Sequence, residues 1–212
     1  ELYAAINDEQ RSVLLAQRAW QVVEEKAEVH KLMRYYVLNN QAQFHAHRGD
    51  FRAALGSLQT LLDESEGEKA PSERRVVYKK MAHFYTELKA YTGALAYYQK
   101  ILDLNKVIKA RDDQHYAETY LNMAKIYRIQ QNYAQAEPLL EQAHSLSMQY
   151  QKQWRISQVA AEKARLLDQR GQHEKALSWI QKAFTPTYPP QASPEAAQLL
   201  ADQAAILLHQ YQ

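Results

Sequence analysis

The chain has no cysteine, which excludes disulfides, thiolate metal centres and cysteine nucleophiles. That absence fits a reducing cytoplasm and an oxidising periplasm equally well; the chain reads as soluble, with the cytoplasm slightly preferred. Only five glycines and six prolines occur among 212 residues, so few positions are able to break a helix. Neither sign of charge dominates: 26 Lys and Arg against 24 Asp and Glu give a formal net charge of +2. Nothing in that balance favours nucleic acid or an anionic membrane surface. No run approaches the roughly 18 apolar residues of a membrane span, so no direct membrane insertion is expected. No Gly-rich phosphate loop, nucleophile elbow or paired-carboxylate motif appears, so neither an enzyme nor a cofactor is expected. The first residue is Glu1, with neither a methionine nor a signal-like segment. The expectation is a piece of a longer protein.

What is present is a register. A small residue precedes a large one by four positions at Ala16/Trp20, Ala54/Leu58, Ala94/Tyr98, Ala136/Leu140 and Ala176/Ile180, and the alanines are spaced by 38, 40, 42 and 40 residues. Twelve residues before each of the last four stands another alanine: Ala42, Ala82, Ala124 and Ala164. Helices pack closely where small side chains on one meet large side chains on the other. A near-constant interval carrying two helical patterns per unit is the signature of a helical solenoid.

One unit reads Ala82, Tyr85, Lys89, Tyr91, Ala94, Tyr98 and Ile101; the next reads Ala124, Tyr127, Gln131, Tyr133, Ala136, Leu140 and Ala143. The units with Gly49, Phe51 and Ala54, and with Gly171 and Ala176, fit the same pattern. This resembles the tetratricopeptide repeat family over nearly the whole chain. The resemblance implies an all-α, right-handed superhelical solenoid of antiparallel helix hairpins. The ordinary repeat is about 34 residues, and these units are longer. The extra length is assigned to second helices that continue about two further turns, as in Leu102 to Ile108. That longer form resembles the repeats of kinesin light chain and of bacterial peptide-responsive regulators.

The expected organisation is a single solenoid over 1–212, with units at approximately 1–29, 30–70, 71–112, 113–152 and 153–192 and a terminal helix at 193–212. Asn7 with Gln10 offers a capping box for the first helix pattern. Glu64 to Pro71 reads as a charged link, and Asp112-Asp113 as a cap. Pro138 is expected to kink its helix mildly. Thr185 to Pro194 reads as a rigid connector, with Ser193 as N-cap and Pro194 as the first residue of the last helix. In that helix Ala204 and Leu207 stand forty residues beyond Ala164 and Leu167. It therefore reads as the first helix of a sixth unit, its apolar face of Leu199, Leu200, Ile206 and Leu207 awaiting a following element.

With the alanine register used for packing, Phe44, Phe84, Ile126 and Leu166 are expected to bridge neighbouring units. The remaining face of each first helix carries Asn40, Gln43 and His47; then Lys79, Lys80, His83 and Glu87; then Asn122, Lys125 and Arg128; then Glu162, Arg165 and Gln169. The resemblance implies a groove lined from these helices. Asn40 and Asn122 share the offset two before the alanine. An amide both donates to and accepts from an extended peptide, and the resemblance implies that role for an asparagine at this offset. Lysines and arginines here pair with carboxylates. The expected ligand is therefore an extended or acidic peptide, or a protein segment. Two alternatives are a self-association scaffold, forming a homodimer through terminal helices, and a small-molecule sensor. A solvated polar face, which every solenoid needs, explains any single one of these residues equally well.

Most of the 15 tyrosines, including Tyr78, Tyr85, Tyr98, Tyr120, Tyr127 and Tyr133, fall on packing positions; Tyr35, Tyr36 and Tyr97 are less well explained. Trp20, Trp154 and Trp179 read as packing residues. None of the eight histidines shows HExxH or i, i+4 spacing. His45 and His47 are two apart and point to different sides of a helix. His47 and His83 are the one pair that adjacent units would bring close, and no metal site is expected.

Overall fold

The alanine register and the scarcity of helix breakers resolve into helices throughout. The computed structural model describes Arg18 and residues 30–63, 71–107, 113–184 and 194–210. In chain order the described helices are α1 (His30–His47), α2 (Phe51–Asp63), α3 (Pro71–Glu87), α4 (Tyr91–Val107), α5 (Asp113–Ile129), α6 (Tyr133–Gln149), α7 (Gln153–Gln169), α8 (His173–Ala183) and α9 (Pro194–Gln210). No strand occurs among the described residues. Outside them lie the expectations for Asn7, Gln10, Ala16 and Trp20, for residues 64–70, for Asp112 and for residues 185–193.

Five of the turns between helices share one geometry. The amides of Gly49 and Asp50 donate to the carbonyls of Ala46 and His45; Lys89 and Ala90 donate to Thr86 and Tyr85, and Gln131 and Asn132 to Arg128 and Tyr127. Gln151 and Lys152, and Gly171 and Gln172, repeat the pattern. This is the Schellman closure, which needs its middle residue in the left-handed region. The φ values there are 76° at Gly49, 56° at Lys89, 58° at Gln131, 52° at Gln151 and 72° at Gly171. Restart of the helix is assisted by Asp50 and Asn132, whose side chains accept from the amides of Ala53 and Gln135.

The chain divides into two compact units, Glu1–Leu104 and Asn105–Gln212. In the first, Leu38, Ala42, Ala54, Leu58, Leu61, Val77, Met81 and Phe84 form the core, with Tyr35, Phe51 and Tyr97 packed against it. Tyr97 stacks on Tyr85 with ring centroids 5.6 Å apart, so packing accounts for this tyrosine as well. Tyr36 is exposed.

In the second unit, Leu121, Ala124, Ala136, Leu140, Ala143, Val159 and Leu166 form one cluster. Ala160, Ala161, Ala164, Ala176, Ile180, Ala183, Leu199 and Ile206 form another. All eight register alanines from Ala42 to Ala176 are 0% exposed. Of the four bridging residues, Phe84, Ile126 and Leu166 are buried, whereas Phe44 is half-buried.

Three expectations bear on where the helices run. Pro71 belongs to α3 and opens it; its fixed φ suits a first helical position, where no amide is needed. Second, α6 is helical without interruption through Pro138, which sits exposed in its second turn. Third, the long second helix is seen in α4 and α6, each of 17 residues, but α8 ends after 11 and passes into extended backbone at Phe184. In α9, Leu199 and Ile206 are buried while Ala204, Leu200, Leu207 and Leu208 are exposed. The buried pair occupies the offsets that Val159 and Leu166 occupy in α7. Ala204 and Leu207 stand at the offsets that face a second helix, and no second helix packs on them among the described residues.

Candidate functional site

In the first unit the predicted face is open. Asn40, Gln43, His47, Lys79 and His83 are exposed, and His83 faces Glu87 one turn on, 3.7 Å away. Lys80 is half-buried and donates to Asn39 Oδ1 at 2.6 Å. Burial lowers its pKa.

The second unit differs. Here α5, α7 and α9 bring Asn122, Lys125, Arg128 and Arg165 onto one face, with Gln169 exposed at the end of α7. The centre of this face is Glu162, which is 0% exposed. Its carboxylate accepts from Nε of Arg128, two helices before in α5, and from Nη1 of Arg165 at 3.0 Å. Arg165 in turn donates to Asp202 of α9 through Nε at 2.9 Å and Nη2 at 2.5 Å. Arg155 lies 3.5 Å from Glu118 and donates to Gln158. A buried carboxylate survives only when paired and hydrogen-bonded, and two guanidinium groups meet that demand.

Repeat geometry builds this ladder. Glu162 and Asp202 hold the offset two before the alanine that Asn40, Lys80 and Asn122 hold in earlier helices. Arg128 and Arg165 stand four after and one after their own alanines. Both α7 and α9 therefore offer the same acidic position to the first helix before them, and a cation from either of two offsets on that helix reaches it.

Lys125 is the exception. Among the described residues it forms no ion pair or hydrogen bond. Its pKa is lowered, first by burial and then by the charges of Arg165, Arg155 and Arg128, against which Glu162 works in the other direction. It lines a cavity of about 180 Å³ together with Ser157, Gln158, Ala161, Arg165, Gln198 and Leu199. The other polar walls are engaged. Ser157 donates to the carbonyl of Ala183, Gln158 accepts from Arg155, and Gln198 donates to Asp202 at 3.0 Å. Asn122, half-buried one helical turn before Lys125, makes no hydrogen bond to another described residue. Among the described residues Lys125 thus has no carboxylate in contact, and the amide of Asn122 stands beside it.

Of the thirteen residues on the predicted face, the fold gathers Asn122, Lys125, Arg128, Glu162 and Arg165, and it commits Arg128 to Glu162. It adds Ser157, Gln158 and Gln198, which the sequence did not single out because only a cross-helix view places them. On the opposite side of α7, Lys163 pairs with Glu141 at 2.6 Å and lies over the Trp179 ring at 4.2 Å. Lys182 lies 4.3 Å from the same ring. Both tryptophans of this unit are packing residues, with Trp154 stacked beneath Arg155.

No helix among the described residues is long and apolar enough to cross a membrane. No curated protein matches the chain in sequence. Among solved structures it is similar to BtubC (BKLC) from P. vanneervenii, with a TM-score of 0.77 at 16% identity, covering 95% of this chain and 84% of that one. It is also similar to MamA protein, with a TM-score of 0.54 at 15% identity, covering 83% and 87%. A thermophilic TPR protein of Thermus thermophilus, TTC0263, gives 0.50 at 18% identity, covering 98% and 96%. At these identities the likeness concerns the fold. A family model described as tetratricopeptide repeat matches residues 73–149 and 115–185, together more than half of the sequence, and the chain belongs to that family.

Proposed function

We propose that the second unit binds an extended peptide through the α5–α7–α9 face, anchoring one carboxylate of the ligand at Lys125 and Arg165. Repeats of this family generally mediate protein–protein interaction, and on this reading the chain does so without catalysis. The observation that carries the proposal is Lys125: a cation partly withdrawn from water, lacking a carboxylate partner, beside a cavity of about 180 Å³. Such a placement costs stability unless something anionic is to be received there. The cavity is smaller than the roughly 300–1,000 Å³ of sites that enclose whole small molecules, so it suits a side chain or chain end. That disfavours the small-molecule sensor. Asn122 supplies the amide that holds a peptide backbone. Because long repeats of this kind resemble those of bacterial peptide-responsive regulators, we place the module in the sensory or regulatory region of a bacterial signalling protein.

The test is fluorescence polarisation with a library of acidic peptides bearing free C-termini. For the best binder, Lys125→Met removes one charge-assisted bond worth about 1.5–3 kcal/mol, a loss of roughly 10- to 150-fold in affinity. Asn122→Ala weakens it further. Unchanged affinity in both variants refutes the assignment.

A second reading has its own observation. Leu200, Leu207 and Leu208 of α9 are 57%, 38% and 65% exposed, a face suited to self-association. It predicts a dimer, in light scattering over a concentration series, that Leu200→Glu with Leu207→Glu abolishes. A monomer at every concentration removes it.

A further inference from the structure

A second cluster lies away from the peptide face, where the end of α7, the start of α8 and the end of α9 meet. Nδ1 of His173 is 2.8 Å from Asp168 Oδ1, and Nδ1 of His209 is 2.9 Å from Asp168 Oδ2. One ligand atom from each of the three lies within 4.8 Å of the others. The imidazole centroids are 5.9 Å apart. None of the three belongs to the alanine register or to the ladder through Glu162.

We propose that Asp168, His173 and His209 form a binding site for a borderline divalent transition-metal ion such as Zn²⁺. Two imidazoles and one carboxylate are the donor set such ions take when no thiolate is present. Zn–N and Zn–O bonds of about 2.0–2.2 Å put tetrahedral ligands roughly 3.3–3.5 Å apart. The two histidine–carboxylate separations are already shorter than that, and the widest must close by about 1.5 Å, within reach of rotating an exposed side chain. His209 is that side chain, half exposed in the last turn of α9.

The backbone favours a cation at this point. Asp168 and His209 stand in the last turns of α7 and α9, where the negative ends of both helices converge. The start of α8, at His173, presents its positive end to the same aspartate, so it is the carbonyl ends of α7 and α9 that favour the cation. Each histidine would bind through Nδ1 as the neutral Nε2–H tautomer, replacing the hydrogen bond that Nδ1 now shares with the carboxylate. Solvent would complete the coordination, as at three-ligand zinc sites. The ion would fasten the final helix to the α7–α8 turn.

The test is calorimetric titration of the full chain with ZnCl₂, with Co²⁺ absorption reporting coordination. One ion per chain is expected, raising the thermal midpoint by roughly 5 °C at a hundredfold excess over Kd. His209→Ala, which removes an exposed side chain, and Asp168→Asn, which keeps its shape, should each weaken binding. The loss should exceed the roughly 10–100-fold that accompanies loss of an outer-shell partner. Absence of binding would leave the trio as a hydrogen-bonded latch and overturn the proposal. Binding of equal strength in both variants would place the ion elsewhere and overturn it as well.

Discussion

Glu162→Ala tests the ladder most directly. The substitution removes a carboxylate that is 0% exposed and accepts from two guanidinium groups. It leaves Arg128, Arg165, Lys125 and Arg155 facing one another, with Asp202 and Glu118 as the nearby carboxylates. Breaking a buried pair from one side typically costs 3–5 kcal/mol, because the orphaned charge stays desolvated. For a domain of this size, each kcal/mol moves the midpoint by about 2–4 °C, so the variant should melt roughly 6–20 °C lower. Arg128→Met should cost less, about 1.5–3 kcal/mol, since Glu162 keeps Arg165. Urea unfolding should be followed by tryptophan fluorescence, because Trp154 in α7 and Trp179 in α8 report this unit. In a double-mutant cycle the Arg128–Glu162 coupling should exceed about 1 kcal/mol and change little with salt, since buried pairs are weakly screened. A loss below about 1 kcal/mol for Glu162→Ala would mean that the pair is open to water and refute the reasoning.

Lys125→Met should raise stability near neutral pH by about 0.5–2 kcal/mol while weakening peptide binding. Its pKa is lower folded than unfolded. The folded state therefore sheds the proton first, and the parent's deficit fades as pH rises towards about 10.4; urea midpoints across that range check the sign. Gln131→Gly should stabilise by up to about 1 kcal/mol, since φ there is 58°. Gly171→Ala, at φ 72°, should cost a similar amount; equal melting temperatures for parent and both variants would sink the turn argument. Gly93→Ala would bring its Cβ to 2.8 Å from the Tyr85 ring. The variant should lose about 1–3 kcal/mol despite the better helix propensity of alanine, and a gain in melting temperature would show that the ring yields freely.

The packing skeleton was legible because it is written in residue size. An alanine at a fixed offset has one reason to recur, and each one from Ala42 to Ala176 is fully buried. Positive φ at Gly49, Lys89, Gln131 and Gly171 falls on the turn positions that the repeat marks. The terminal helix shows where a register stops being enough. Ala204 keeps its place in the pattern yet stays exposed, because burial needs a partner as well as an offset. The charged ladder was less legible for a related reason. Glu162 looks like a surface glutamate in the chain, and its burial is settled by Arg128 and Arg165 reaching it from α5 and from its own helix. Reading one offset down the repeats, which already puts Glu162 on this face with Asn40 and Asn122, extends to Asp202. It does not reach Asp168, His173 and His209, which stand at different offsets in their helices and meet only because three helix ends converge.

The two units make different use of one polar face, and the difference bears on what a ligand must bring. In the first unit the face is exposed, and Lys80 meets its need within the protein through Asn39. Contacts there are interchangeable with water, and a ligand gains little by displacing it. In the second unit the cations are held in place by partners whose geometry is already fixed, and one of the four lacks a carboxylate. Preorganisation of that kind lowers the ordering cost of binding, but it also restricts the ligand. An added carboxylate would give Lys125 a direct partner beyond the field of Glu162, whereas a neutral or cationic group in the same cavity would leave it without one and take its remaining water. The discrimination between a free acid and its amide should therefore exceed what an exposed lysine provides. It should also collapse in Lys125→Met, whose empty apolar stem no longer distinguishes the two. An amidated peptide that binds the parent as tightly as the free acid would show that the anchoring charge lies elsewhere on the face.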